Sequence, residues 1–450
     1  MASNDPADRR SLLAKLRPLP LPATHQDTVW AAGRGSGPAP RNAASPRFQT
    51  ASEIGRRTAL GLIGGAGLAV PVLGQGLVDL KLSGGGGARP VTTAFPQKGA
   101  MILHRTRPPL LETPMAAFDG QVFTPNDRFF VRWHYADIPT AVDTAAFRLK
   151  IGGAVRRPLA LSLAALRRLP RFEIAAVNQC SGNSRGHFSP RVPGAQWGDG
   201  AIGNARWTGV RLRDVLDLAG IAPDAVAVRM AGLDRPPPGA PWFAKSLGVD
   251  HARDGEVMIA WGMNGADLPM LNGFPLRLVV PGWSSTYWIK ALDRIEVLRT
   301  PDTGYWMEKA YRIPTGPHAN VAPGAKDFPT EPINRMVPRA FVTNIADGGS
   351  VVARSPFYVR GLAMGGAAAV ARVDLSMDGG RRWHAAPLGR DEGRYGFRLW
   401  EATLPGLPPG RYALAVRCTN AAGETQVFRP IWNPSGFMLN TIQRIAITAA

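Results

Sequence analysis

The apolar residues between about residues 100 and 330 occur in short runs, and this constrains the fold more than any other feature of the sequence. Turn signals such as Pro236-Pro237-Pro238-Gly239 and Asn272-Gly273 separate the runs. Helical spacing predicts helices at residues 162–169 and 212–219, and the short runs predict strands at residues 147–152, 172–177, 225–230, 257–260, 276–280 and 295–298. The pattern therefore indicates an α+β domain with a mixed, irregular sheet.

Several common classes of protein are excluded by motifs that the sequence lacks. No Gly-x-Gly-x-x-Gly opens a helix after a predicted strand, which argues against a dinucleotide-binding fold. The two cysteines, Cys180 and Cys418, are too few for a disulfide scaffold, a multi-cysteine zinc finger or an all-cysteine iron–sulfur cluster. Because Cys-x-x-Cys-His does not occur, we expect no c-type haem, and because the first hundred residues lack the organised pattern that a haem domain needs, we expect no haem in this chain.

The chain is strongly basic. Its 53 lysines and arginines outnumber its 33 aspartates and glutamates, which gives a formal net charge of +20. Such a charge attracts nucleic acid, anionic lipid, small anions or acidic proteins. The basic residues are scattered, and no basic helix with interleaved aromatic residues occurs, so we do not expect specific binding of nucleic acid.

Residues 1–90 are predicted to precede the folded catalytic part of the chain. Residues 1–52 are rich in Pro, Arg, Ala and Gly without apolar periodicity, and we expect a disordered basic extension. Residues 53–90 contain Arg56-Arg57, a Gly- and Ala-rich apolar run and residues 83–87 (SGGGG), which indicate a twin-arginine export signal followed by a flexible linker. The alternatives are a short membrane anchor or a buried helix, but the run is too short and glycine-rich to span a bilayer comfortably. We therefore expect a periplasmic protein that is exported folded and whose mature form has no membrane span.

A polar stretch follows the predicted strand at residues 172–177 and forms the first candidate site. It contains Cys180, small residues that allow close approach of the backbone, and Arg185. A nearby guanidinium favours the thiolate, which is the form that binds metals or attacks electrophiles. Three interpretations stay open from the residues alone: a small buried side chain, a nucleophile assisted by His134 or His187, or the anchor of a metal whose other ligands come from an organic cofactor.

A second candidate site lies upstream. In an extended segment, Arg132 and His134 share one face of the chain, while Val131 and Trp133 share the other. Two cationic groups on one face suit an oxyanion or a phosphate, and the alternative is a solvated edge strand.

Six segments taken together resemble one known family. They are residues 130–134 (FVRWH), 179–185 (QCSGNSR), 204–210 (NARWTGV), 263–265 (MNG), 273–282 (GFPLRLVVPG) and 287–290 (YWIK). In this order they resemble the sulfite oxidase family of molybdenum enzymes, and most closely its bacterial periplasmic sulfite dehydrogenases, over about residues 100–450. The resemblance implies a molybdopterin-binding catalytic domain at residues 100–330, whose molybdenum is held by one dithiolene pterin and one protein cysteine.

The resemblance also implies the roles of individual residues. Cys180 matches the metal ligand. The catalytic and anion-binding residues are matched by Arg132, Arg185 and Tyr311. Contacts to the pterin and its phosphate are matched by His134, Arg277 and Lys290, and Trp197 is expected to line the substrate pocket. The implied reaction is oxidation of sulfite to sulfate, with two electrons passed one at a time to an external cytochrome c or a cytochrome subunit. Oxidation of sulfane sulfur and reduction of a sulfoxide stay open as alternative activities of a related enzyme.

Residues 331–450 have a different pattern. Val373, Leu375 and Met377 alternate with more polar residues, and Asp378-Gly379-Gly380 closes a hairpin. Cys418 falls on an inward-facing apolar row, which predicts a core thiol rather than a ligand. Repeated alternation over this length predicts an all-β, immunoglobulin-like sandwich. In the resembling family this position holds a dimerisation domain, which implies a homodimer or, alternatively, pairing with a cytochrome subunit.

Overall fold

The computed structural model describes residues 76–450. The predicted basic extension and the paired arginines of the predicted export signal lie outside the described residues. Within this range the chain is mostly β-sheet, and its strands are β1 (Leu77–Asp79), β2 (Ala88–Thr92), β3 (Met101–Arg105), β4 (Leu110–Glu112), β5 (Val131–Arg132), β6 (Leu149–Gly153), β7 (Leu159–Leu161), β8 (Arg171–Gln179), β9 (Ile202–Arg211), β10 (Ala227–Gly232), β11 (Ala244–Gly248), β12 (Met258–Met263), β13 (Ala266–Asp267), β14 (Arg277–Val279), β15 (Leu292–Leu298), β16 (Arg312–Pro314), β17 (Thr330–Pro332), β18 (Arg339–Val342), β19 (Gly349–Val351), β20 (Phe357–Met364), β21 (Val370–Ser376), β22 (His384–Ala386), β23 (Arg398–Leu404), β24 (Gly410–Asn420) and β25 (Gln443–Ala449).

Helices are few and short in this part of the chain. The α-helices are α1 (Leu163–Arg167), α2 (Leu212–Ala219), α3 (Val249–Ala252) and α4 (Tyr305–Glu308), and 3₁₀ turns occupy Met115–Phe118, Arg185–His187, Met270–Asn272, Ser285–Tyr287 and Pro317–Ala319. None of the helices within residues 76–450 is long and apolar enough to cross a membrane. The predicted α+β class therefore overstates the helical content. Helix α2, for example, stops after eight residues because Gly220 takes a left-handed conformation at φ +68°.

Two of the sheets lie wholly within the range predicted for the catalytic domain, residues 100–330. One has the strand order β11-β10-β15-β6-β7 and is mixed, because β15 runs parallel to β6 while the other pairs are antiparallel. The other is antiparallel and has the order β13-β12-β9-β8, with β14 paired to β12. Leu149, Val210 and Ile295 lie in one core that contains residues from both sheets. All six predicted strands overlap observed strands, so the prediction of a mixed sheet is confirmed.

A third sheet, in the order β1-β2-β3-β4-β5, corrects one prediction. Residues 83–87, predicted as a flexible linker, lie in the turn that connects the paired strands β1 and β2. Gly84, Gly85 and Gly86 have φ values of +79°, +79° and +65°, which glycine adopts without strain. The guanidinium of Arg191 donates hydrogen bonds to carbonyl oxygens in this turn. These residues are therefore part of a sheet rather than a linker between folded parts.

Residues from about 331 onward form a two-sheet β-sandwich. One sheet has the order β18-β20-β23 and the other has the order β19-β25-β24-β21-β22. Val359 and Trp400 from the first sheet pack in one core with Leu375 and Val416 from the second. The predicted hairpin is present between β21 and β22, and Cys418 is fully buried, as expected of a core thiol. Burial raises the pKa of Cys418 to about 12, so this thiol stays protonated. The sandwich is confirmed, while its immunoglobulin-like classification stays a prediction.

The sandwich core generates a prediction about stability. Leu414, in the middle of β24, is fully buried, whereas Leu77 in β1 is 73% exposed. We expect Leu414→Ala to lower the free energy of unfolding by about 2–5 kcal/mol, because it removes buried methyl groups and leaves a cavity. The matched change Leu77→Ala should alter it by less than about 0.5 kcal/mol. Thermal unfolding of both variants measures the difference, and equal shifts would contradict this assignment of the core.

Candidate active site

One cavity of about 470 Å³ brings together most of the predicted site residues. Its wall is formed by Arg89, His104, Arg105, Leu110, Arg132, Cys180, Gly182, Arg185, Gly194, Ala195, Gln196, Trp197, Tyr311 and Phe437. Four of these residues are arginines, and no aspartate or glutamate occurs among the described residues of the wall. The cavity therefore has a strongly positive potential that favours an anionic ligand.

Cys180 is placed at the end of β8 by a tight turn. Its backbone N–H donates to the carbonyl of Ala201 at 2.9 Å, and its own carbonyl accepts from the N–H of Asn183 at 2.9 Å. The Asn183 side chain accepts from the N–H of Ala201, which closes the turn from the other side. The thiol is buried but reaches the cavity, so the structure favours a functional position over a simple core side chain.

Arg185 follows in the same turn and lies in the cavity wall. Its guanidinium donates to the carbonyls of Ser435, at 3.1 Å, and Ala195, at 3.4 Å, and it lies 5.0 Å from the ring centre of Phe437. Burial lowers the pKa of Arg185, and the nearby Cys180 and Tyr311 partly oppose this shift. Nε of Arg185 is buried and has no hydrogen-bond partner among the described residues.

Arg132 belongs to β5, and its side chain lies on the opposite face of the extended segment from those of Val131 and Trp133. Val131 and Trp133 are each 1% exposed, while Arg132 and His134 are partly exposed, which confirms the predicted alternation. Nη1 of Arg132 is buried without a hydrogen-bond partner among the described residues. A buried guanidinium nitrogen of this kind needs an acceptor, and the cavity is where one would bind.

Tyr311 and His134 form a hydrogen-bonded pair. The Tyr311 hydroxyl lies 2.5 Å from Nε2 of His134, whose ring stacks on Phe243 with the ring centres 3.5 Å apart. Burial raises the pKa of Tyr311, so the hydroxyl keeps its proton. Burial, followed by the positive charges of Arg132, Lys290 and Lys245, lowers the pKa of His134 well below its usual value, so the imidazole is neutral at neutral pH. The structure thus places His134 against Tyr311, and its predicted contact to a pterin stays a prediction.

Arg277 and Lys290 do not line the cavity but lie behind it. The Arg277 guanidinium donates to the carbonyl of Asn272 and to the side-chain oxygen of Asn178, both at 2.9 Å. Lys290 lies with its Nζ atom 4.6 Å from the ring centre of Trp133. Burial, and then the charge of Arg277, lowers the pKa of Lys290. These two basic side chains are therefore buried and separate from the four arginines that line the cavity.

Buried donors without partners cluster around Cys180 and suit an anionic cofactor. They are Nε of Arg277, the side-chain nitrogen of Asn178 and Oγ of Ser181, each buried and without a hydrogen-bond partner among the described residues. Native proteins leave few such groups unpaired unless a ligand or water supplies the acceptor. A phosphorylated, oxygen- and nitrogen-rich group beside a single soft thiolate would satisfy them, so these residues fit a molybdopterin.

Protein ligands alone do not complete a metal site here. Within residues 76–450, no group of three or more His, Cys, Asp or Glu side chains is placed to hold a metal ion. A metal at Cys180 therefore needs further ligands from an organic cofactor, which is the third of the interpretations that the sequence left open.

Sequence reasoning missed several residues of the wall, among them the charged, imidazole and aromatic side chains of Arg89, His104, Arg105 and Phe437. Arg105 ends β3 and Arg89 lies in β2, and a charged residue at a strand end is a weak signal that could have been followed. Phe437 comes from the C-terminal part of the chain and stacks on Tyr311, with ring centres 5.5 Å apart and planes 5° apart. No local pattern predicts this contact, because the two residues meet only through the packing of the two domains.

Comparison with known protein families agrees with this geometry. Residues 135–306 match the family described as the oxidoreductase molybdopterin binding domain. Residues 331–450 match the Mo-co oxidoreductase dimerisation domain.

Individual relatives and one solved structure are also similar. The chain is 34% identical to the mitochondrial sulfite oxidase of Homo sapiens, over 77% of this chain and 66% of that relative, so the match spans just under two thirds of the human protein. It is 34% identical to the sulfite oxidase of Gallus gallus, over 76% of this chain and 77% of that relative. The crystal structure of the sulfane dehydrogenase SoxCD from Paracoccus pantotrophus has a TM-score of 0.63 at 25% identity, over 75% of this chain and 83% of that chain.

A buried lysine next to Tyr311 generates a prediction about pH and stability. Lys245 is fully buried, and its Nζ atom donates to the carbonyl of Trp306 at 2.7 Å and lies 5.8 Å from the Tyr311 ring centre. Burial lowers the pKa of Lys245 from 10.5 to about 7. Between these pH values the unfolded chain binds the proton and the folded chain does not, so stability rises with pH.

We expect wild-type protein to gain stability relative to Lys245→Met as the pH rises from about 7 to about 10, by at most about 1.4 kcal/mol per pH unit. Chemical denaturation across this range measures the difference. The exposed Lys309→Met is the control, and its stability curve should run parallel to that of the wild type. A parallel curve for Lys245→Met would contradict burial of the charge.

Proposed function

We infer, because this chain belongs to the sulfite oxidase family of molybdopterin oxidoreductases, that it oxidises sulfite to sulfate at a molybdenum cofactor. The observation that carries the proposal is the composition of the cavity. Four arginines line it beside Cys180, and no carboxylate occurs among the described residues of its wall. This environment suits a small oxyanion with two negative charges, which sulfite is.

The chain's own residues bind and orient the anion. Of the four arginines in the wall, Arg132 and Arg185 have a buried nitrogen without a partner among the described residues, so they would donate charge-assisted hydrogen bonds to sulfite oxygens. Phe437 and Trp197 form the apolar part of the wall and limit the room available to water. Arg89 and Arg105 add positive charge around the bound anion.

The residues that would hold the cofactor are Cys180 and a group of side chains outside the cavity wall. The Cys180 thiolate would bind the molybdenum, while Arg277, Lys290 and Asn178 would supply donors and positive charge to the pterin and its phosphate. When bound, this cofactor supplies oxygen-atom transfer and accepts two electrons. The net reaction consumes sulfite and one water and releases sulfate, two protons and two electrons.

Tyr311 is the residue that can hold a proton at the anion. Its raised pKa keeps the hydroxyl protonated, and the neutral imidazole of His134 fixes the hydroxyl at 2.5 Å. With Nε2–H of His134 donating to the phenol oxygen, the hydroxyl proton would be free to donate to the substrate or product anion while the electrons leave.

Oxidation of sulfane sulfur is the second candidate function. The similarity to the SoxCD sulfane dehydrogenase and the apolar wall formed by Phe437 and Trp197 favour it, because sulfane sulfur is less polar than sulfite. Three steady-state assays distinguish the candidate activities. Sulfite tests sulfite oxidation, a peptide carrying a cysteine persulfide tests sulfane oxidation, and methionine sulfoxide under reducing conditions tests sulfoxide reduction. Turnover with the persulfide and none with sulfite would favour the second candidate.

We further propose the cellular setting of the enzyme. The paired arginines Arg56-Arg57 support export of the folded protein to the periplasm, where a cytochrome c or a cytochrome subunit would accept the electrons. The match of residues 331–450 to a dimerisation domain supports a homodimer.

The two cysteines offer a matched test of the proposed function. We expect Cys180→Ser to abolish sulfite-dependent reduction of ferricyanide or cytochrome c, because the metal loses its thiolate ligand. Cys418→Ala changes the other buried cysteine, which lies in the sandwich core away from the cavity, and should retain turnover. Molybdenum quantification of each purified protein, expressed with an intact cofactor pathway, accompanies the assay. Absence of molybdenum from the wild-type protein would contradict the proposal.

The outer arginines generate a second prediction about the site. Arg105 lines the cavity. The pKa of Arg105 is lowered mainly by partial burial and secondly by the positive charge of Arg132. We expect Arg105→Gln to raise KM for sulfite about 2- to 5-fold with little change in kcat, because an exposed charge contributes at most about 1 kcal/mol. The effect should shrink at high ionic strength. The exposed Arg107→Gln removes the same charge two residues away and outside the cavity wall, so an equal effect there would contradict a local role.

A further inference from the structure

His104 lines the cavity from a bulge between β3 and β4 and pairs there with the buried Glu112. Ile102 pairs with Glu112 and Leu103 with Leu111, but the register then shifts so that Arg105 pairs with Leu110, which leaves His104 as the extra residue. A bulge re-aims the side chain of its extra residue. As a result, Nε2 of His104 lies 2.6 Å from Glu112, and the imidazole lines the cavity.

Glu112 is built into the protein as a buried hydrogen-bond acceptor. The side chain is 1% exposed and accepts from the backbone N–H groups of Gly198 at 3.0 Å and Gly200 at 2.9 Å. Glycine is required at both positions, because a Cβ atom on either would lie 2.8 Å from an atom of the Glu112 side chain. Because both oxygens of Glu112 already act as acceptors of backbone N–H groups, Glu112 is taken as the acceptor toward His104 as well, and Nε2 is the ring nitrogen that donates.

This arrangement leaves Nδ1 of His104 available to the cavity. Nδ1 makes no hydrogen bond to another described residue, and the ring is held edge-to-face against Trp197 with the ring centres 4.5 Å apart. In the tautomer that has its proton on Nε2, Nδ1 has a free lone pair. His104 therefore presents a fixed proton acceptor to whatever occupies the cavity.

The other ionisable groups of the wall are poor proton acceptors. A guanidinium group has no lone pair with which to accept a proton. This rules out the four arginines of the wall, Arg89, Arg105, Arg132 and Arg185. Tyr311 is a protonated phenol that already pairs with His134, whose ring is covered by Phe243. Cys180 is assigned to the metal. Glu112 lies on the far side of His104 from the cavity, and it is the carboxylate that would stabilise a protonated imidazole.

We propose that His104 is a catalytic residue that accepts, at Nδ1, one proton from the water consumed in sulfite oxidation, and that Glu112 is its positioning residue. This inference rests on the proposed function. In the net reaction, sulfite and water give sulfate, two protons and two electrons. The water oxygen ends in sulfate, His104 takes one of the two protons and releases it to solvent, and the other proton passes to solvent directly. A one-electron acceptor such as ferricyanide takes the electrons in two steps.

The test compares His104→Gln with His251→Gln in the molybdenum-containing enzyme. His251 is a matched control, because it also lies near a carboxylate, 3.7 Å from Asp254, and against a tryptophan, 4.4 Å from Trp283, but it does not line the cavity. Removal of a general base typically costs about 10²-fold or more in rate. We expect His104→Gln to lower kcat about 10²-fold, to change KM less than about 3-fold, and to change the shape of the pH profile of kcat. His251→Gln should match the wild type.

Two accompanying measurements separate this role from a structural one. Molybdenum content and melting temperature should be unchanged in His104→Gln, and a loss of either together with activity would overturn the proposal. In the wild type, diethylpyrocarbonate should modify His104, as located by mass spectrometry, and sulfate should slow that modification. An unchanged pH profile, or modification that sulfate does not slow, would also overturn the proposal. Wild-type protein without sulfite turnover would instead contradict the proposed function itself.

Discussion

Burying a guanidinium group costs free energy unless hydrogen-bond acceptors or an anion replace its water, and this constraint governs the region around Cys180. Arg185 and Arg277 are each less than 10% exposed, and each has an Nε atom without a partner among the described residues. Carbonyl oxygens satisfy part of each group, from Ser435 and Asn272. The remaining donors point to anions that bind from outside the chain. The surrounding strands, turns and aromatic rings hold these positive charges in a position where removing their water costs free energy unless an anion takes its place.

The C-terminal sandwich completes this arrangement rather than standing apart from it. Arg339 in β18 is buried and donates to Oγ of Ser184, at 2.9 Å, which lies in the turn that carries Cys180 and Arg185. It also donates to the carboxylate of Asp199. Phe437 stacks on Tyr311 and lies under Arg185. The site therefore depends on contacts between two parts of the chain that are far apart in sequence. A substitution in the sandwich near these residues would therefore alter the cavity without replacing a residue that binds the metal or the anion.

Much of the fold and of the inner site could be predicted from sequence. The buried strand β8 and the alternation around Arg132 are local patterns, since each depends on residues within one extended segment. Six motifs in order were specific enough to select the family. The predicted helical content was too high, and residues 83–87 form a sheet turn, because the amount of helix and the pairing of a glycine-rich segment depend on distant partners. His134 looked like a possible cation, but its burial beside Arg132 and Lys290 makes it neutral.

The sequence by itself determined the candidate ligand Cys180, the cations Arg132 and Arg185, the sites of the main strands and the core position of Cys418. These follow from short-range periodicity and from residue chemistry. The tertiary structure alone decided that Arg89, Arg105, His104 and Phe437 share the cavity with them, and that Glu112 fixes the orientation of His104. The physical reason is that these contacts come from a strand bulge, from paired strands and from the packing of two domains. Distances between such elements are set by the whole folded chain and leave no periodic trace in any one segment.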